Sequence, residues 1–262
     1  MASMARVNLR SIALPTEHGG WGFLIEPILL ALLIAPSWQG LILAVAVVSL
    51  FLLHQPLKIA IKDNLKRRRV PRTQWAERFA LLYGGLGISL ILILTTFNGA
   101  SFLLPMMVGS IFALVQVFYD GRNKSRNLIP ELSGAIALAA TASSMALLAN
   151  WTLIPALILW LILSTRALTA IIYVRVRLRM AYGKPHNKHF ALGLHIMALV
   201  IFTIFVFYDL MPVVTVLAML ILVIRAFKGI LAPAPQVTPK IIGFTELAFG
   251  MIYVLVVSFG YW

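Results

Sequence analysis

Cysteine is absent from the 262-residue sequence, which excludes disulfides, thiolate nucleophiles and cysteine-ligated metal sites. Charged residues are also scarce, at 11% of the chain against about 25% in an average soluble domain. Acidic residues are the scarcest, because 8 Asp and Glu stand against 22 Lys and Arg, for a formal net charge of +14. Apolar residues make up 61%, too many for a water-facing surface or a disordered chain. The composition therefore predicts an integral membrane protein.

Apolar runs that suit a bilayer crossing, which takes about 20 residues in a helix, recur along the whole chain. We predict an all-α, polytopic membrane protein with nine transmembrane helices in one domain over residues 1–262. Arg6 and Arg10 precede the first helix without a small-residue cleavage site after it, so we expect a retained helix and not a signal peptide. The predicted spans are about 20–36, 39–57, 79–97, 102–119, 130–149, 153–173, 190–208, 211–227 and 241–261.

Lys and Arg occur in every second connection between these spans. The connections after the first, third, fifth and seventh spans contain none, whereas the four others are basic, most of all at Lys66–Arg69. Nine crossings place all basic connections on the side of the N-terminus, which the positive-inside rule assigns to the cytoplasm. The C-terminus then lies on the opposite side of the membrane, outside the cytoplasm. The charge excess thus indicates topology and contact with membrane lipids, and argues against nucleic-acid binding.

Ionisable side chains inside a span are costly, and each is a candidate functional residue. At a rise of 1.5 Å per residue, the ionisable side chains of these spans, together with Gln116, lie within about 10 Å of the cytoplasmic end of their span. The outer half of the spans is almost purely apolar. This distribution predicts one polar chamber that opens to the cytoplasm. The polar residues that would line it are Glu26, His54, Gln116, Arg166, His195 and Glu246.

Two of these residues also have a purely structural interpretation. Arg166 either neutralises Glu26 or Glu246, since an unpaired buried charge is expensive, or contacts an anionic ligand, and both roles are compatible. His195 is either a packing and hydrogen-bonding histidine or a ligand contact.

Glu17 and His18 stand in a glycine-rich segment just before the first span, where they would lie at the mouth of the chamber. The nearby Trp21 is explained equally well as an interfacial anchor. The whole segment, LPTEHGGW from Leu14 to Trp21, resembles the opening signature of the YwiC-like family of bacterial membrane proteins, which implies a bacterial cytoplasmic (inner) membrane. Later stretches that suit this resemblance are Pro56–Lys58, Arg69–Arg72 and Gly243–Glu246.

The helix count and the longer basic connections after the second and sixth spans resemble the UbiA superfamily of intramembrane prenyltransferases. That resemblance implies a UbiA-like bundle in which aspartate-rich motifs of these two loops hold magnesium and a prenyl diphosphate. Here Asp63 is the lone acid at the first position, and the second, around Arg166–Arg179, has no acid. Magnesium takes several hard oxygen ligands, so the usual cage cannot form. Any cofactor, and whether the protein is an enzyme, stay open.

The sequence predicts a binding protein for an isoprenoid, quinone or lipid-like ligand whose anionic or polar head meets basic side chains. Two alternatives are a non-catalytic subunit or assembly factor of a membrane respiratory or photosynthetic complex, and a divergent prenyltransferase. No residue is assigned a catalytic or metal-binding role. The candidate ligand-binding residues are Glu17, His18, Glu26, His54, Lys58, Lys62, Asp63, Gln116, Arg166, Arg175, His195 and Glu246.

Overall fold

A computed structural model describes residues 8–15, 18–67, 69–231 and 238–262, with only the backbone of His18. All regular secondary structure in these ranges is helical, as the sequence predicted. The helices are α1 (Leu9–Ala13), α2 (His18–Ile34), α3 (Trp38–Leu65), α4 (Pro71–Asn98), α5 (Leu103–Gly121), α6 (Leu128–Leu148), α7 (Leu153–Ala181), α8 (Lys188–Phe207), α9 (Val214–Leu231) and α10 (Pro239–Phe259).

The eight helices α3 to α10 are each long and apolar enough to cross a membrane. The chain is therefore an integral membrane protein. In α2 the apolar part, Gly19–Ile34, is shorter. It spans about 24 Å at 1.5 Å per residue, against about 30 Å for the hydrocarbon core of a bilayer. A ninth crossing by α2, and the orientation of both termini, stay predictions.

Three helices extend well beyond the spans that hydropathy predicted for them. Helices α3 and α4 have 28 residues each and α7 has 29, which makes them about 42–44 Å long. Their connections are consequently short, at Lys66–Val70 and Tyr182–Asn187, in place of the larger loops expected after the second and sixth spans. The reason is that charged residues end an apolar run without ending a helix, because Lys, Arg and Leu are good helix formers. The large loops that supported a UbiA-like bundle are thus replaced by helix.

The helix bounds keep the alternation of basic and uncharged connections. Those between α2 and α3, α4 and α5, α6 and α7, and α8 and α9 contain no Lys or Arg. This pattern agrees with a chain that reverses direction at each connection.

Helices α6 and α7 form the centre of the bundle. In their most apolar windows 67% and 61% of residues are buried, against 17% in both α4 and α5. Small buried residues of α6, among them Ala139, Ala142 and Ser143, let neighbouring helices approach closely. Helix α7 packs against α8, α9 and α10, while α2 packs against α6, α7 and α10. The same packing brings together the polar residues of five helices.

Candidate functional site

Five ionisable side chains from α2, α7, α8, α9 and α10 meet inside the bundle. They are Glu26, Arg166, His195, Arg225 and Glu246, here called the central cluster, and none is more than 8% exposed. His195, Arg225 and Glu246 lie about 9–11 Å along the axis from the helix ends beside the basic connections. The structure thus brings together four of the side chains that the sequence placed at one depth, and adds Arg225.

Arg166 lies between the two carboxylates of the central cluster. Its Nη2 donates to Glu26 Oε1 at 3.4 Å and to the backbone carbonyl of Glu246 at 3.1 Å. Its Nη1 is 3.7 Å from Glu246 Oε2, close enough for an ion pair without a hydrogen bond. Both carboxylates that the sequence offered as partners of Arg166 are therefore used.

Arg225 completes the cluster from the opposite side of Glu246. Its Nη1 donates to Glu246 Oε1, and its guanidinium carbon lies 3.9 Å from the centre of the Tyr173 ring, a cation–π contact. Its Nη2 lies 3.4 Å from His195 Nε2, while His195 Nδ1 is 2.8 Å from the carbonyl of Ala191. Since a carbonyl only accepts, Nδ1 carries the proton and Nε2 accepts from Arg225. These partners assign a neutral His195.

The charges of the central cluster balance, but its hydrogen bonds do not. Two guanidinium groups face two carboxylates, with an uncharged imidazole beside them. Among its buried atoms, Arg166 Nε and Nη1, Arg225 Nε and Glu246 Oε2 have no hydrogen-bond partner. A buried polar group left unpaired costs about 1–3 kcal/mol, and more when charged. Counted by atom, and with Glu26 Oε2 included, the cluster leaves three guanidinium nitrogens without an acceptor and two carboxylate oxygens without a donor among the described residues.

Gly250 lets the cluster approach the backbone of α10. A Cβ at this position would overlap the Glu26 carboxylate and lie 3.0 Å from Arg166 Nη2. One turn later, Tyr253 is 1% exposed and donates its hydroxyl to the carbonyl of Ile162 at 3.3 Å. Any larger residue at Gly250 would push the Glu26–Arg166 pair away from α10.

His54 and Lys58 of α3 form a second group with Asp120 of α5. His54 Nε2 contacts Asp120 Oδ2, and Lys58 Nζ lies 3.7 Å from Asp120 Oδ1. The Asp120 side chain is 3% exposed, whereas those of His54 and Lys58 are about a quarter exposed. The crevice beside them is walled by Leu57, Ile61 and Val117. No hydrogen bond or ion pair among the described residues joins this group to the central cluster.

Asp63 holds the start of α4 against the end of α3. Arg72 donates to both carboxylate oxygens, at 3.0 and 2.6 Å, and the hydroxyl of Thr73 donates at 2.9 Å. The lone acid at the position where the UbiA resemblance expects a magnesium motif is thus committed to an arginine. In the described ranges no three His, Asp or Glu side chains gather closely enough to hold a metal ion.

The remaining candidates lie apart from the central cluster. Arg175 donates from Nε and Nη2 to the same oxygen of Glu131, Oε2, at 2.8 and 2.6 Å, and both side chains are partly exposed. The side chain of Gln116 on α5 packs directly against the backbone of Gly134 on α6, in the space that a Cβ at this position would occupy. Lys62 is half-buried near the end of α3. Glu17 lies outside the described residues, and so does the side chain of His18.

Sequence reasoning missed Arg225 and Asp120 as members of these groups. Arg225 lies two residues before the end of the predicted eighth span, where it resembles the cations of the basic connection that follows. Asp120 was overlooked at the end of α5, where it precedes basic residues. In both cases the usable signal was an ionisable residue in or next to an apolar run.

A model of the YwiC-like protein family matches residues 14–146 of the chain. The chain belongs to the YwiC-like family. The matched half covers α2 to α5 and most of α6, so it contains Glu26, the Asp63–Arg72 pair and Asp120. The other members of the central cluster come from the second half of this YwiC-like protein. No curated protein and no solved structure matches the chain significantly.

Proposed function

We propose that this YwiC-like protein binds an amphipathic ligand within the bacterial cytoplasmic membrane, with its basic connections in the cytoplasm. The ligand is an isoprenoid, quinone or lipid-like molecule whose polar head reaches the central cluster and whose tail lies between helices. One observation carries the proposal. Arg166 Nε, Arg166 Nη1 and Arg225 Nε are buried guanidinium nitrogens without an acceptor.

Buried polar groups in proteins are nearly always hydrogen-bonded, either to protein atoms or to ordered water, so these donors require acceptors that the described side chains do not supply. In hydrocarbon the cost of leaving them unpaired is higher, since no bulk water competes. Oxygen atoms of a ligand head would supply the missing acceptors. The surrounding bundle is rich in Leu, Ile and Phe, which suits an apolar tail.

The acidic residues give little support to metal-dependent prenyl transfer. Asp63 is paired with Arg72, and Asp120 with His54 and Lys58. Freeing either carboxylate for a magnesium ion would leave a cation without its partner. Binding is therefore the activity that the arrangement supports best.

The test is mass spectrometry of the lipids that copurify with the full-length protein in mild detergent. The informative variant combines Arg166→Gln with Glu26→Gln, because it removes donors while keeping the cluster neutral. Its matched control combines Glu77→Gln with Arg78→Gln. This change is also neutral and affects the same residue types, near the start of α4 and away from the central cluster. We expect a specific lipid in the wild type and the control, reduced about tenfold or more in the cluster variant, since charge-assisted hydrogen bonds contribute about 1.5–3 kcal/mol each.

Two results would contradict the proposal. One is an identical lipid profile in the wild type and the cluster variant. The other is a stoichiometric partner protein in place of any specific lipid, which would favour a subunit or assembly role.

A further inference from the structure

Resting on the proposed function, we propose that the ligand head is uncharged and binds through carbonyl oxygens, as in a prenylated quinone. A diphosphate or carboxylate head is disfavoured at the central cluster. The first reason is the charge of the site, and the second is the type of hydrogen-bonding atom that it leaves free.

The charge argument starts from the ion pairs. Glu26 and Glu246 already compensate Arg166, and Glu246 also pairs with Arg225. His195 adds no charge, because its Nε2 faces a donor and its Nδ1 faces a carbonyl. The empty cluster is therefore neutral overall. An anionic head would leave negative charge uncompensated at a buried position, whereas an uncharged head adds none.

The hydrogen-bond argument starts from the unpaired atoms. Three buried guanidinium nitrogens lack an acceptor, against two carboxylate oxygens that receive no hydrogen bond from the described residues, Glu246 Oε2 and Glu26 Oε2. Such a site favours a head that accepts and does not donate. Ketone and ester carbonyls have this property, whereas hydroxyl and amine heads must also find an acceptor for their own hydrogens. A quinone offers carbonyl acceptors without a donor, whereas a diacylglycerol adds a free hydroxyl to its ester carbonyls, so the experiment has to separate the two.

The experiment compares heads on a constant tail. The probes are a ubiquinone with a two-isoprene tail, geranyl diphosphate and geraniol, with dioctanoylglycerol as the ester-headed lipid. Binding to the full-length protein in mild detergent is followed by quenching of tryptophan fluorescence and by the shift in unfolding temperature. We expect the quinone to bind at least about tenfold more tightly than geranyl diphosphate or geraniol, and more tightly than dioctanoylglycerol.

Glu26→Gln supplies the decisive variant, because it leaves one positive charge in excess with little change in shape. In this variant we expect geranyl diphosphate to bind at least about tenfold more tightly than it binds the wild type, so that its affinity rises relative to that of the quinone. Glu77→Gln on α4, the same replacement away from the cluster, should alter neither. Should Glu26→Gln fail to fold, the order of the probes on the wild type still decides.

The two proposals fail in different ways. Tighter binding of geranyl diphosphate than of the quinone by the wild type would overturn the uncharged head and leave amphipathic ligand binding standing. Tighter binding of dioctanoylglycerol would overturn the quinone assignment. Failure of every probe to bind a folded wild-type protein would count against the proposed function itself.

Discussion

Replacing Arg166 with glutamine removes one cation from a cluster whose four buried charges balance. Glu26 would lose the one cation it pairs with among the described residues, whereas Glu246 would keep Arg225. Removing one partner of a buried ion pair costs about 3–5 kcal/mol, chiefly because the other charge stays buried without compensation. We therefore expect Arg166→Gln to lower the free energy of unfolding by about that amount.

Adding Glu26→Gln to Arg166→Gln should recover part of the loss, because the double variant is neutral again. We expect the effect of the double variant to fall short of the sum of the two single variants by about 1–3 kcal/mol, the range typical of residues in direct contact. The free energy of unfolding is measured by titrating the protein in mixed micelles with a denaturing detergent and following helix content by circular dichroism. Arg78→Gln on the exposed side of α4 is the control and should change the stability by less than about 0.5 kcal/mol. Additivity of the two single variants to within about 0.5 kcal/mol would refute the pairing of Arg166 with Glu26 as the source of the effect.

Three further expectations concern α10, the α3–α4 connection and the topology. Gly250→Ala should destabilise the protein by about 1–3 kcal/mol in the same assay, because the added Cβ meets the Glu26 carboxylate. Gly243→Ala, on the open side of α10, is the control and should be neutral or mildly stabilising. Equal effects of the two variants would contradict the close approach of Glu26 to the backbone of α10. Asp63→Asn should lower the free energy of unfolding by about 1.5–3 kcal/mol, because it weakens the hydrogen bonds that Arg72 donates to Asp63. The exposed Asp209→Asn is the control, and an unchanged stability of Asp63→Asn would show that the Arg72–Asp63 pair contributes little. Because the chain has no cysteine, single replacements report topology directly: in intact cells a membrane-impermeant maleimide should label Asp209→Cys and spare Lys184→Cys, and the reverse pattern would invert the orientation.

Much of the fold follows from hydropathy alone. A membrane-crossing helix satisfies its own backbone hydrogen bonds, so an apolar run of sufficient length is itself strong evidence for it. Residues 102–119 and 130–149, for example, lie within two residues of the bounds of α5 and α6. Hydropathy failed at the ends of α3 and α7, where charged residues leave the membrane but the helix continues. Helix length there depends on helix propensity and capping and not on the bilayer.

That Glu26, Arg166, His195 and Glu246 lie within apolar helices could also be read from the sequence, because burying an ionisable group in a span is costly enough to be informative. Their pairing could not be read in the same way. Arg166 and Glu26 are 140 residues apart, and their contact exists only because α2 and α7 pack beside α10. The same holds for Arg225, because its position near the end of an apolar run does not reveal that it contacts Glu246 of α10.

The sequence by itself determined that this is a YwiC-like membrane protein with alternating basic connections and a few ionisable residues within its apolar runs. Only the tertiary structure decided which charges meet, that Asp63 and Arg175 pair with Arg72 and Glu131 outside the central cluster, and that this cluster is balanced in charge but not in hydrogen bonds. The physical reason is a difference in range. Partition into a bilayer acts on each segment separately, whereas charge pairing depends on which side chains of distant segments come within about 4 Å of each other.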